Sequence, residues 1–175
     1  YKPKPLPPVP EIFTIGHSNL DFEAFAARLA AHRVTVLADV RAAPYSRRYP
    51  QFNREALAAG LQPAGVRYRW LGEVLGGLRE PAGMTPHTAL AEPAFQAYAE
   101  HMATPAFRDL LARLADGAGR MAIALMCAEA DPAHCHRQFI ADALACAGLR
   151  VCHIRSTTEA TLHQPHPGLR RAGER

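Results

Sequence analysis

The hexapeptide MAIALM, residues 121–126, constrains the fold more than any other stretch of this sequence. It is the most continuously apolar run in the chain, and a strand with no polar side belongs in the middle of a parallel sheet whose two faces are both covered. The flanking sequence supplies the covering pieces in alternation. EIFTIG (11–16) is a β-branched and aromatic run closed by Gly16, and DFEAFAARLAAH then sets Phe22, Phe25, Ala26, Leu29 and Ala30 at helical spacing behind Asp21 as N-cap. VTVLADV (34–40) reads as a second strand, residues 53–61 as a short helix, and VRYRWL as a third strand in which Val66, Tyr68 and Trp70 alternate with Arg67 and Arg69.

Two more helices follow. AFQAYAEHM carries Phe95, Tyr98, Ala99 and Met102 on one face. TPAFRDLLARLADG has Thr104 as N-cap, Pro105 at the first helical position, Phe107, Leu110, Leu111 and Leu114 inward, and Gly117 past its end. HRQFIADALACAG predicts a helix with Phe139, Ile140, Ala143, Leu144 and Ala147 inward and Gly148 as its stop, and RVCHI predicts the last strand. The expected fold is therefore a three-layer α/β domain over residues 11–155, with a mainly parallel sheet of about five strands and helices on both faces. Residues 1–10, with five prolines, predict an extended and poorly ordered lead-in, and the polar residues 156–175 a flexible tail. The stretch GEVLGGLREPAGMTPHTALAEP from Gly72 predicts a functional loop or lid.

Composition bounds the rest. A chain of 175 residues, 49% hydrophobic and 21% charged, buries one core and is too short for two typical domains. It holds no apolar run of spanning length and no signal-peptide h-region, so a cytoplasmic location and no membrane partner are expected. Cys127, Cys135, Cys146 and Cys152 are spaced unlike a disulfide framework and read as reduced thiols. A net charge of +4 rests on arginine, because Lys2 and Lys4 are the only lysines; this permits an anionic partner without requiring one. No helix-turn-helix or zinc-finger motif is present.

In open parallel sheets, ligands bind beyond the carboxyl ends of the strands. GHSN (16–19) follows the first strand, DVR (39–41) ends the second, GEVLGG (72–77) follows the third and CAEADPAHCHR (127–137) follows the fourth. A parallel sheet brings His17, Ser18, Asn19, Asp39, Arg41, Glu73, Cys127, Glu129, His134, Cys135, His136 and Arg137 to one rim. Asp131 and Pro132 predict a helix start, with His134–Arg137 in its first turns; free N–H groups there, with Arg137 and Arg41, would suit a phosphate or carboxylate. The alternative is that Arg137 pairs with Asp39, Glu73 or Glu129 and ties the loops together.

The thiols and imidazoles admit other readings. Cys135 at a helix N-terminus beside His and Arg is expected to ionise easily, whereas Cys127 at the end of a buried strand reads as a small core residue. Cys127, Cys135 and His136, with His17, would supply metal ligands, but no C-x-x-C pair anchors them, and neighbours on a helix diverge by about 100°. Cys146 and Cys152 read as core, as does Trp70, whose indole at a strand end could instead floor a pocket; His153 and the exposed-looking His32, His87 and His101 read as structural or surface residues. In PYSRRYPQF, Arg47 and Arg48 lie beside Tyr45, Tyr49 and Phe52, a combination of charge and stacking surface that also suits nucleic acid.

TIGHS, DVR with Pro44 and Ser46, LGEVLGG, LMCAEADPAHCHR and VCHI together resemble the bacterial family called domain of unknown function 488, from about Ile12 to Ile154. The resemblance implies no activity. Its motifs coincide with Gly16, His17, Ser18, Asp39, Arg41, Pro44, Ser46, Gly76, Gly77, Cys127, Glu129, Cys135, His136 and Arg137. The residues themselves support an enzyme that holds a phosphate- or nucleotide-like anion on Arg41, Arg137, Ser18, Asn19, Ser46, Gly76 and Gly77. His17 or His136 would move the proton, and Glu129 or Asp39 would orient it. A nucleic-acid module and a thiol or metal site are the alternatives, with Cys135 as the nucleophile of a thiol reaction. The sequence names no cofactor and no oligomeric state.

Overall fold

A computed structural model describes residues 2–77 and 93–167. Strands β1 (Glu11–Gly16), β2 (Val36–Asp39), β3 (Arg67–Trp70), β4 (Ile123–Cys127), β5 (Arg150–Ile154) and β6 (Ala160–Leu162) form one sheet in the order β3-β2-β4-β1-β5-β6. All neighbours pair in parallel except β5 and β6, which are antiparallel. Helices α1 (Phe22–Ala31), α2 (Arg54–Leu61), α3 (Gly72–Leu75), α4 (Pro93–His101), α5 (Pro105–Ala118) and α6 (Arg137–Cys146) connect the strands.

The alternation of side chains along each strand divides the core in two. Ile123, Leu125 and Cys127 of β4 join Phe107, Leu114, Phe139, Ile140 and Leu144 on the face covered by α5 and α6. Ala124 and Met126 join Phe25, Leu29, Leu57 and Leu61 beneath α1 and α2. All five residues of β4 are buried, as a central strand with two covered faces requires.

Several boundaries differ from the expectations. The segment after β3 opens with the short helix α3 before Gly76, and its continuation through residue 92, with His87, lies outside the described residues. Helix α5 runs through Gly117 and is capped at Gly119. Ala147 and Cys146 are exposed, not core, because α6 ends there and turns them to solvent; Cys152 is buried.

The largest change concerns residues 156–167. Polar residues with no strand pattern of their own add β6 to the sheet instead of forming a tail. A buried chain of polar contacts holds them: the Thr14 hydroxyl donates to His153 Nδ1, His153 Nε2–H to His163 Nδ1 at 2.8 Å, and His163 Nε2–H to Asp142 Oδ1 at 2.6 Å. His153, with its pKa lowered to about 3 by burial and by its cationic neighbours, is neutral and structural in this chain. Residues 2–9 are exposed and carry no regular element.

Candidate functional site

From β1 the chain leaves toward β2, and from the adjacent β4 it leaves toward β5, passing over opposite faces. Such a divergence opens a crevice at the carboxyl ends of the two strands. A cleft of about 900 Å³ lies there, reached by His17, Ser18, Asn19, Arg41, Ser46, Gly77, Cys127, Glu129, His134, Cys135 and His136. Tyr45, Arg48, Tyr49 and Phe95 complete its walls. Of the residues expected at the rim, Asp39 and Arg137 are buried behind it, and Glu73 and Gly76 are not part of its lining.

Two loops meet with no room for side chains between them. His17 N donates to Cys127 O at 3.0 Å and Ser18 N to Ala128 O at 2.9 Å, extending the β1–β4 ladder past the strands. A Cβ on Gly16 would sit 1.8 Å from Glu129 O, so this position admits only glycine. Gly77 lies against the imidazole of His136 in the same way, with a Cβ there falling 2.5 Å from Nδ1.

Arg41 is held as a tie. Its Nε and Nη2 donate to the two oxygens of Asp39 at 2.9 and 2.7 Å, Nη2 also donates to Phe52 O at 2.7 Å, and Nη1 reaches His17 Nε2 at 3.4 Å. Asp39 is saturated in turn by the Arg41 N–H and the Tyr68 hydroxyl. Burial, and then that contact with Asp39, push the Tyr68 phenol up. Sequence reading missed Tyr68 because its strand position marked it only as a packing residue.

His17 donates through Nδ1 to Ser18 O and stacks on Phe52 at 4.3 Å between centroids. Burial, reinforced by the Arg41 charge and opposed by the Ser18 bond, lowers its pKa to about 4. His17 is thus a neutral imidazole, with Arg41 and not a carboxylate on its second nitrogen. Glu129 is exposed and lines the cleft, and the hydrogen bonds of His17 run to Ser18 O and Arg41, not to the carboxylate of Glu129 or Asp39.

The helix expected from Asp131 onward is interrupted. Asp131 caps a 3₁₀ turn, Pro132–His134, by accepting from Ala133 N at 2.9 Å; Cys135 is extended (φ −138°, ψ 148°), and α6 starts only at Arg137 with His136 as N-cap. His134 points outward and approaches Asp131 at 3.6 Å. Arg137 is 1% exposed and, among the described residues, pairs with no carboxylate: its Nη2 donates to Glu129 O at 2.9 Å and Ala130 O at 3.3 Å, and its Nε has no partner there. Both guanidiniums are thus engaged within the protein, Arg41 chiefly by Asp39 and Arg137 by main-chain oxygens.

The break at Cys135 turns its side chain toward β4. Cys135 Sγ lies 2.9 Å from Cys127 Sγ and 3.4 Å from His136 Nδ1, while His136 Nε2–H donates to Val40 O at 3.1 Å. Cys127 Sγ in turn lies 3.7 Å from Glu129 O. The S–H of Cys135 donates to Cys127, and this bond, with the nearby Arg137 charge, lowers the Cys127 pKa against the opposing effect of burial. The same bond, with burial and the charge on Cys127, raises Cys135 well above the thiol range. These shifts run opposite to the expectation that Cys135 is the thiol that ionises easily.

Among the described residues no group of three or more His, Cys, Asp or Glu side chains is arranged to hold a metal. Part of the PYSRRYPQF loop is tied down by its own residues and by Asn53 and Glu55 that follow it. The Tyr45 hydroxyl donates to Glu55 at 3.0 Å, Asn53 Oδ1 accepts from Ser46 N at 2.7 Å, Ser46 Oγ accepts from Tyr49 N at 3.0 Å, and Arg48 lies over the Tyr49 ring. Trp70 is half-buried outside the cleft, donating to Arg41 O at 2.9 Å.

The family model for the domain of unknown function DUF488 matches residues 21–144, which include β2, β4 and the whole Cys127–Arg137 stretch. The chain belongs to the DUF488 family. The match is narrower than the motif resemblance, leaving GHSN and VCHI outside it. Comparison with the curated proteins and with the solved structures finds no match. As in the sequence expectation, this DUF488 chain is an α/β fold with one mostly parallel sheet and no helix, among the described residues, long and apolar enough to cross a membrane.

Proposed function

We propose that this DUF488 protein is a thiol-dependent enzyme whose nucleophile is the Cys127 thiolate, acting in the cleft at the carboxyl ends of β1 and β4. The observation that carries this reading is the 2.9 Å contact in which Cys135 donates to Cys127 Sγ. A thiolate is the reactive form of cysteine, and a neighbouring S–H donor together with a buried guanidinium is a means of holding one ready near neutral pH. Arg137 supplies the charge. Its carbonyl contacts fix it without neutralising it, so the negative sulfur is the counter-ion that a buried cation needs.

The cleft suits a small substrate with an electrophilic centre and a negative group. Its exposed mouth carries Arg48, Ser18 and Asn19, which supply a cation and hydrogen-bonding groups for that negative part. Reduced thiols of this kind fit a cytoplasmic location.

The test is site-resolved alkylation with iodoacetamide across pH, followed by mass spectrometry of the wild type and of Cys127→Ser. Cys127 is expected to react at pH values below the ordinary thiol range, ahead of Cys135, even though Cys146 is the exposed cysteine. If only Cys146 is modified in the folded protein, or if Cys127 follows an ordinary thiol profile, the reading is wrong.

A further inference from the structure

We propose that Cys127 and Cys135 are a nucleophilic and resolving pair that reduces a small hydroperoxide, with His136 as the base that frees Cys135. The inference rests on the thiolate reading of Cys127 and goes beyond it by naming a substrate class, a second reacting sulfur and a proton acceptor. Three observations support it: the sulfurs are in contact at 2.9 Å, the imidazole follows in line from Cys135, and both cysteines sit at the floor of the cleft.

Closing a disulfide from this arrangement takes about 0.9 Å of approach, since an S–S bond is ~2.05 Å long. Cys135 is not locked in a helix: it occupies the extended link between the 3₁₀ turn and α6, where a small change of backbone angle moves its sulfur. His136 is oriented by its Nε2–H bond to Val40 O, which leaves the electron pair on Nδ1, the atom that faces Cys135 Sγ.

The electron balance follows from these positions. The Cys127 thiolate attacks one oxygen of the hydroperoxide; an S–O bond forms, the O–O bond breaks, and the departing alkoxide takes a proton from water, leaving Cys127 as a sulfenic acid. Cys135 then yields its proton to His136 Nδ1, and its thiolate attacks Cys127 Sγ. The S–S bond forms and the S–O bond breaks, and the hydroxide leaves as water with the proton from the imidazolium. Two thiols are oxidised by two electrons, and the hydroperoxide is reduced to an alcohol and water. A low-molecular-weight thiol restores the pair by two exchange steps, itself becoming a disulfide.

The floor position selects the substrate class. Cys127 is 2% exposed and Cys135 6%. Attack on a peroxide lines Sγ up with two oxygen atoms, each smaller than sulfur, so a small hydroperoxide makes the least demand on space at this floor.

The experiment uses the full reduced chain carrying Cys146→Ser, to prevent exposed thiols from linking copies, treated with one equivalent of hydrogen peroxide. Mass spectrometry is expected to find Cys127 joined to Cys135 and Cys152 still free. Cys135→Ser in the same background should instead accumulate a Cys127 sulfenic acid that dimedone traps. His136→Asn should still form sulfenic acid but close the disulfide roughly 100-fold more slowly, with closure recovering as pH rises. A merely structural His136 would not give that pH-dependent recovery. If peroxide leaves both thiols free while Cys127 alkylates readily at neutral pH, the pair is not a redox pair and the nucleophile reading stands. If Cys127 also alkylates slowly, both readings fall. A disulfide involving Cys152, or closure that His136→Asn does not slow, overturns the assignment of roles.

Discussion

Acidification tests the environment of His17 directly. The side chain is 3% exposed, stacked on Phe52 and in contact with the Arg41 guanidinium, so a second proton has no favourable place on it. Its pKa drops from 6.5 to about 4, burial being the main cause. In the unfolded chain His17 takes up a proton near pH 6.5, while in the folded protein it does so only near pH 4. Between these values acid favours the unfolded state. The contribution is therefore fully present above pH 6.5, falls away as pH decreases through the window, and is spent below about pH 4. At about 1.4 kcal/mol for each tenfold change in proton affinity, the loss is roughly 3 kcal/mol. Urea unfolding at pH 7.5 and pH 4, for the wild type and for His17→Gln, isolates it, since carboxylates and His153 titrate alike in both proteins. The wild type should lose roughly 3 kcal/mol more than the variant on going to pH 4. An equal loss in the two proteins would mean that His17 is not desolvated as described, and that the Arg41 contact does not constrain its charge.

Two further substitutions probe the ties around the cleft. Asp39→Asn leaves the buried Arg41 guanidinium without its counter-charge and should destabilise the fold by about 3–5 kcal/mol in urea unfolding, because breaking one side of a buried ion pair strands the other. Asp142→Ala removes the acceptor for His163 Nε2–H and for His166 N; a loss of about 2–3 kcal/mol is expected, with amide exchange in β6 accelerated more than in β1.

Periodicity made much of the fold legible. MAIALM had to be central, and helices with one apolar face had to cover it. The same period of two puts Cys127 on the side of Ile123 and Leu125, the face that α6 covers. The strand-end rule likewise gathered His17, Arg41, Cys127 and His136 around one cleft. β6 escaped because ATL in a polar stretch has no pattern of its own; the polar residues after it are held by Asp142, a buried carboxylate of α6.

What the sequence by itself determined is the order of strands and helices, the face on which each apolar residue lies, and the end of the sheet at which polar residues collect. All of these follow from spacing along one chain. The tertiary structure alone decided how the polar residues pair: Arg41 is spent on Asp39, Arg137 on main-chain oxygens, and the proton of Cys135 on Cys127. The physical reason is local and geometric. Asp131 and Pro132 encode a helix start, but the turn they begin lasts only to His134, and the extended backbone at Cys135 swings its sulfur onto a strand eight residues back. A capping pattern reports where a turn can begin; where it ends was set by the packing of α6 and β4 around Arg137, which no spacing in the sequence records.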